Sequence, residues 1–90
     1  MADSRLDQEP KRASAAFGKR LRELRDRQEL SQDALADATD IHPTAIGRME
    51  RGAREPRLTT ILRLADGLDV QPGELLNELG KATKTQQSNA

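Results

Sequence analysis

The amino-acid sequence predicts an all-α fold of five short helices, and three observations lead to this prediction. Apolar residues recur at helical spacing, as at Phe17, Leu21 and Leu24, which lie at i, i+4 and i+7. No stretch of useful length alternates between apolar and polar residues as a half-buried strand does. The chain has 90 residues, enough for one domain, and helices with local contacts suit so small a core.

The two ends of the chain differ in composition from the part between them. Residues 1–13 are charged and carry no apolar period, which predicts a flexible N-terminal arm. Residues 80–90 are polar and lack large apolar side chains, which predicts a disordered C-terminal tail. The folded domain is therefore expected over residues 14–79.

Serine caps and apolar residues predict the first two helices. Ser14 can cap a first helix that runs to about Gln28. Ser31 can cap a second helix from Gln32 to about Ala38, because a serine oxygen accepts a hydrogen bond from a free amide of the first turn. The residues expected to face the core from the second helix are Ala34, Leu35 and Ala38.

Proline and glycine mark the later helices. The third helix is predicted to begin at Pro43, directly after His42, because the amide that proline lacks has no partner at the first helical position. Gly52 follows the last turn, where a left-handed residue is favoured. A fourth helix is predicted over about 58–67 and a fifth over about 72–79. Their apolar sides are expected to consist of Leu58, Ile61, Leu62, Ala65, Leu68, Leu75, Leu76 and Leu79.

The composition excludes several kinds of site. Without cysteine the chain forms neither disulfides nor cysteine-based zinc sites, and one histidine, His42, is too few for an ordinary histidine-based metal site. No nucleophile–base arrangement, metal set or glycine-rich phosphate loop is visible, so we expect neither an enzyme nor a cofactor. Phe17 is the only aromatic residue, which argues against base stacking on single strands or RNA. No signal peptide or membrane-length apolar run is visible, so we expect a cytoplasmic protein without membrane contacts.

The charges are balanced in number but not in position. Lysine and arginine number 15, as do aspartate and glutamate, and the formal net charge is zero. A zero total does not exclude nucleic-acid binding, because the distribution of the cations decides it. The cations gather in residues 11–27 and 48–57, and acidic residues such as Asp33 and Asp37 lie between the two runs. Two interpretations remain open, a cationic surface for a polyanion and the solvated face of ordinary helices.

The segment LSQDALADATDIHPTAIGRMERG, residues 30–52, carries a family resemblance. It resembles the helix-turn-helix of the lambda-repressor and Cro-like superfamily, also called the xenobiotic-response-element family. The matching pieces are LSQDALA for the second helix, Ile41 in the turn and TAIGRMERG for the third helix. The later stretch LTTILRLADGLDVQPGELL is similar to the fourth and fifth helices of that family, so the resemblance covers residues 14–79.

The resemblance implies a compact five-helix, lambda-repressor-like DNA-binding domain. Members usually regulate transcription as dimers on palindromic operators in double-stranded DNA, and their third helix, about 43–51 here, reads the major groove. The candidate dimer surface is formed by the fourth and fifth helices, including Leu76 and Leu79. The alternative is a protein-interaction role on the same fold, as an antitoxin or an adaptor, with a protein partner that the sequence does not identify.

The third helix holds the candidates for base contacts. Thr44 can donate or accept at a base edge, and Arg48, one turn later, can bond to guanine O6 and N7 with two parallel bonds. Ile46 and Met49 are expected to face the core and anchor the helix. Pro43 departs from the polar, often amide, side chain that is common in the family, which shifts base reading toward the residues after it. The residues predicted to contact bases are Pro43, Thr44, Ala45, Gly47 and Arg48.

Residues on either side of the third helix are candidates for the DNA backbone. The resemblance implies that Gln32 binds a phosphate at the start of the second helix, where a helix N-terminus favours anions. The residues predicted to contact phosphates are Gln32, His42, Arg51, Arg54 and Arg57. Arg25 and Glu50 resemble a family pair that ties the first helix to the end of the third, which implies a structural ion pair.

Overall fold

Five helices follow one another in the structure, a computed structural model that describes residues 4–77 and 79. They are α1 (Ser4–Arg27), α2 (Gln32–Thr39), α3 (Pro43–Glu50), α4 (Leu58–Leu68) and α5 (Pro72–Leu76). Within the described residues no strand occurs, and the all-α prediction is confirmed. None of these helices is both long enough and apolar enough to cross a membrane.

Local hydrogen bonds explain where α2 and α3 begin and end. The Ser31 side chain accepts a hydrogen bond from the Ala34 amide at 2.9 Å, which confirms the predicted cap of α2. Asp40 then ends α2 in the left-handed region, with φ at 60°. Pro43 opens α3 as predicted, and Gly52 after its last turn adopts a positive φ of 73°. The tight turn between α2 and α3 is therefore encoded locally.

The start of α1 differs from the prediction. The helix begins at Ser4 and includes 24 residues, so Ser14 lies inside it, buried, and does not cap it. Alanine, lysine, arginine and glutamate are good helix formers, and a missing apolar period removes contact with a core but not the tendency to form a helix. Whether residues 1–13 are flexible stays a prediction, and the predicted tail over 80–90 lies outside the described residues.

All five helices contribute side chains to one hydrophobic core. Ile46 and Met49 of α3 are 0% and 1% exposed, as their spacing predicts, and the apolar stripe of α1 is also buried. The largest fully buried side chains are Phe17, Leu21, Leu35, Ile46, Met49, Leu64, Leu68 and Leu75. Helix α3 is thus anchored on its apolar side by contacts with a continuous core.

The buried sides of α2 and α4 are rotated relative to the prediction. Ala36 and Thr39 are buried on α2, whereas Ala38 is exposed. On α4, Leu58 and Leu62 are 70% and 48% exposed. The two helices approach closely where Gly67 of α4 lies directly against the Thr39 side chain. This contact covers Thr39 on the buried side of α2.

The C-terminal end of α3 lies against α1 at very short range. A Cβ atom added to Gly18 would collide with the Met49 carbonyl oxygen and would lie 2.7 Å from the Glu50 carbonyl oxygen. One turn earlier on α1, Ala15 lies against Gly52, whose added Cβ would be 3.0 Å from the Ala15 Cα. A side chain at position 18 would therefore force α1 and α3 apart.

Candidate nucleic-acid interface

The outer face of α3 presents two of the predicted base-contacting side chains to solvent. Thr44 and Arg48 are exposed and lie one turn apart, while Ile46 and Met49 on the opposite side are buried. Thr44 supplies a hydroxyl group and a methyl group, and Arg48 supplies a planar fork of donors. The helix thus packs on the core through its apolar side and exposes its polar side to solvent.

The other three predicted base-contacting positions are less open. Pro43 and Ala45 are partly exposed, whereas Gly47 is buried although it has no side chain of its own. A Cβ added to Gly47 would lie 3.3 Å from Arg51 Nη1 and 3.6 Å from Gln32 Oε1. The ends of these two side chains therefore cover the α3 backbone at Gly47.

Arg25 of α1 and Glu50 of α3 form a two-point ion pair. Arg25 Nε donates to Glu50 Oε2 at 2.6 Å, and Arg25 Nη2 donates to Oε1 at 2.8 Å. The remaining Arg25 nitrogen, Nη1, donates to the Leu30 carbonyl oxygen at 2.7 Å. The side chains of Arg25 and Glu50 are only 11% and 4% exposed. The structure thus brings the predicted pair together and ties α1 both to α3 and to the segment before α2.

The surroundings of this pair act on both pKa values. Burial is the largest influence on Glu50 and favours its neutral form, but hydrogen bonds from Arg25 and Gln32, with the charges of Arg25 and Arg22, outweigh it. The pKa of the Glu50 carboxyl is therefore lowered from its ordinary value. The hydrogen bond to Glu50 in turn raises the pKa of Arg25, against the effect of its own burial. Both groups are charged near neutral pH.

Gln32 takes part in the same network, a role that was not predicted from the sequence. Its Nε2 donates to Glu50 Oε1 at 3.0 Å, so the side chain links the start of α2 to the end of α3. The two residues are 18 positions apart, and no spacing rule relates them. The predicted phosphate contact of Gln32 stays a prediction, and the structure adds a second partner for the same amide.

His42 caps α3 in the structure. Its Nδ1 accepts a hydrogen bond from the Thr44 amide at 3.1 Å, and the side chain is exposed. A residue directly before a proline that opens a helix occupies the N-cap position, so the sequence did contain a signal for this role. Through this bond His42 orients the turn that carries Thr44.

Four exposed arginines within residues 48–57 form no ion pair with an acidic side chain of the described residues. The ion pairs whose two side chains are both described involve Arg20, Arg22 and Arg25, all on α1. The four exposed arginines at the end of α3 and in the loop after it are Arg48, Arg51, Arg54 and Arg57. Their guanidinium groups are available to phosphates or base edges. The four positive charges exceed the one negative charge of the exposed carboxylate, Glu55, in that segment, so its surface is cationic.

Comparison with known proteins places this arrangement in a family. A family model described as a helix-turn-helix domain matches residues 16–79. The chain belongs to this helix-turn-helix family. Control protein C.BamHI from Bacillus amyloliquefaciens is 39% identical over 62 residues, which cover 68% of this chain and 76% of that protein. Control protein C.SmaI from Serratia marcescens is 37% identical over 60 residues, covering 67% of this chain and 71% of the relative.

Solved structures show the same fold. The restriction-modification controller protein C.AhdI from Aeromonas hydrophila has a TM-score of 0.68 and 45% identity, over 69% of this chain and 94% of the controller. A helix-turn-helix transcriptional regulator from Vibrio cholerae has a TM-score of 0.74 and 26% identity, over 77% of this chain and 39% of the regulator. The resemblance to lambda-repressor-like regulators is thereby confirmed, together with the five-helix fold.

Proposed function

We propose that this protein regulates transcription by binding double-stranded DNA sequence-specifically, with α3 in the major groove. The observation that carries the proposal is the division of α3 into a buried side and a polar side that exposes Thr44 and Arg48. A major groove about 12 Å wide admits one helix with its side chains. Thr44 and Arg48 then lie where base edges are accessible, and Ile46 and Met49 remain in the core.

Phosphate contacts follow from the charges around α3. Arg54 and Arg57 lie in the loop after α3. Both are exposed, and neither forms an ion pair with an acidic side chain of the described residues. His42 and Gln32 lie at the starts of α3 and α2, where free backbone amides favour anions. Together these residues would set the register of the protein on the duplex, and the affinity would depend steeply on salt.

The relatives support a small control protein as the specific role. This chain covers 94% of the C.AhdI controller and 76% of C.BamHI, so the likeness extends over most of each relative. We therefore favour a regulator over an antitoxin or an adaptor, and binding over catalysis. Since such a regulator acts on the chromosome, we place the protein in the cytoplasm.

Binding as a homodimer is part of the proposal, and two exposed leucines on α4 support a surface for it. Leu58 and Leu62 are one turn apart on α4 and are the large exposed apolar residues of the described chain. Ile61, which lies between them in the sequence, helps with Phe17 and Pro56 to line a half-open, largely apolar cavity of about 80 Å³. A cavity of this size suits a single side chain rather than a drug-sized ligand, whose pockets span about 300–1,000 Å³. A second copy could therefore present a leucine to this cavity and receive one in return.

The proposed function is tested by selecting bound duplexes from a random pool at fixed salt. Arg48→Ala should relax the preference at one base pair, at a cost of about 1–3 kcal/mol, whereas Arg54→Ala should weaken binding to all sequences alike. Arg63→Ala, an exposed arginine on α4, is the matched control and should change neither property. If the wild-type protein enriches no duplex even in dilute buffer, the proposed function is wrong. If Arg48→Ala and Arg54→Ala behave alike, the division into base and phosphate contacts is wrong.

A further inference from the structure

We propose that Arg51 reads a base together with Thr44 and Arg48, and that the missing side chain at Gly47 leaves space for its guanidinium. This inference rests on the proposed function, because it assigns a specific role at the same DNA-facing surface. From the sequence, Arg51 is predicted to contact phosphates and Gly47 to contact bases. The structure favours a base contact for Arg51, with Gly47 leaving space for it.

The position of Arg51 on α3 is the first observation. Thr44, Arg48 and Arg51 lie at i, i+4 and i+7, which places them on one side of the helix. Arg51 follows directly after the last residue of α3, and its amide still donates to the Gly47 carbonyl oxygen at 3.1 Å. The helical turn therefore continues through Arg51, and its side chain belongs to the same exposed face as the other two.

The direction of the Arg51 side chain is the second observation. Its Nη1 would lie 3.3 Å from a Cβ at Gly47, one turn toward the helix N-terminus. Long side chains on a helix lean in this direction. The guanidinium thus lies over the α3 backbone at Gly47 rather than extending beyond the end of the helix toward the loop. Any side chain at position 47 would compete for this space.

The Gln32 side chain lies on the other side of the space above Gly47. Gln32 Oε1 would lie 3.6 Å from the added Cβ at Gly47, and Gln32 Nε2 is held by Glu50 at 3.0 Å. Because Glu50 is itself held by two bonds from Arg25, this side of the space is part of a connected network. The space above Gly47 therefore has one side held by a buried ion pair and one side formed by Arg51.

The chemistry that follows is the recognition of two guanines by one helix. An arginine fork bonds in parallel to O6 and N7 of guanine, and no acidic side chain of the described residues forms an ion pair of definite geometry with Arg48 or Arg51. Each half-site should therefore contain two G·C pairs whose identity matters, one read by Arg48 and one by Arg51.

The test compares Arg51→Lys with Arg51→Ala in the same duplex selection. Lysine keeps the positive charge but loses the planar fork, so a phosphate contact tolerates the change and a two-bond guanine contact does not. We expect Arg51→Lys to lower the preference at one base pair by about tenfold and to leave the other positions unchanged. The matched control is Arg54→Lys, which should keep the wild-type preferences. If Arg51→Lys keeps every wild-type preference while Arg51→Ala weakens all sequences alike, Arg51 is a phosphate contact and the inference is overturned.

Gly47→Ala separates the role of the space from the stability of α3. Alanine favours a helix over glycine, so thermal unfolding should occur at the same or a higher temperature than in the wild type. The added Cβ would lie 3.3 Å from Arg51 Nη1, so the guanidinium must shift by a few tenths of an ångström, and the preference should fall at the same base pair that Arg51→Lys affects. A Gly47→Ala variant with unchanged preferences would overturn the role of Gly47. Enrichment by the wild type in the same experiment shows that the proposed function holds independently of this result.

Discussion

At the scale of single residues, Glu50 joins the helices that surround the candidate interface. It lies at the end of α3, accepts two hydrogen bonds from Arg25 of α1, and accepts another from Gln32 at the start of α2. A carboxylate that is 4% exposed needs such partners, because an unpaired buried charge costs several kcal/mol. Glu50 thus ties the end of α3 to α1 and to the start of α2.

The first prediction concerns the loss of the Arg25 charge. Arg25→Met leaves Glu50 paired with Gln32 alone, and we expect the free energy of unfolding to fall by about 1–3 kcal/mol at neutral pH, between the loss for a surface pair and the loss for a fully buried one. Denaturant unfolding measures this loss. Arg22→Met is the control, because Arg22 and Asp26 are 3.7 Å apart with side chains 68% and 59% exposed. Such a surface pair should contribute about 0–1 kcal/mol. Similar losses in the two variants would contradict the role of the buried pair.

Acidification should reduce the difference between the wild type and Arg25→Met. The pKa of Glu50 is lowered in the folded protein from an ordinary value of 4.5, so its ionised form stabilises the fold. The contribution is complete above about pH 4.5 and is lost as the pH falls through the lower pKa of the folded state. Unfolding measured at decreasing pH should therefore show converging stabilities. A difference that stays constant would mean that packing of the Arg25 side chain, and not its charge, is responsible.

At the scale of elements, α1 and α3 cross at very short range. The two helices approach at Gly18, where the backbone carbonyl groups of Met49 and Glu50 leave no space for a Cβ. Carbonyl groups at a helix end cannot move as a flexible side chain can. The crossing is therefore sensitive to a single methyl group.

We expect Gly18→Ala to destabilise the protein by about 1–3 kcal/mol, because the added Cβ must separate the two helices. This loss occurs although alanine favours a helix by roughly 1 kcal/mol over glycine. Thermal or denaturant unfolding gives the measurement. Gly73→Ala in α5 is the matched control, since nothing lies within 4 Å of its added Cβ, and it should be neutral or slightly stabilising. Equal behaviour of the two alanine variants would refute the close crossing.

Features that depend on near neighbours in the sequence were predicted correctly, whereas features that depend on packing between helices were not. The cap at Ser31, the start of α3 at Pro43 and the buried stripe through Phe17 depend on neighbours within about one or two turns, and these predictions were right. The exposure of Leu58 was missed, because α4 is apolar on more than one side and its contact with α2 selects the buried one. The bond from Gln32 to Glu50 was missed for a similar reason, since only the packing of α2 against α3 creates it.

At the scale of the whole molecule, two exposed surfaces lie on different elements. The polar face of α3 belongs to a helix that packs on α1 and α2, whereas the exposed leucines belong to α4, which packs on α2 and α5. Contact with DNA and contact with a second copy therefore need not compete for the same side chains. In a dimer on one operator, two α3 helices would enter successive major grooves about 34–36 Å apart.

The last prediction tests the surface of that dimer. Leu58→Ser combined with Leu62→Ser removes both exposed leucines, each of which would contribute about 1.5–3 kcal/mol if fully buried between two copies. We expect dimerisation, measured by sedimentation, and binding to a duplex with two half-sites to weaken by at least about tenfold. Binding to a single half-site should stay unchanged, because α3 and its core contacts are untouched. Arg63→Ser on the same helix is the control. If the double variant still occupies both half-sites as the wild type does, the two copies meet elsewhere or bind independently.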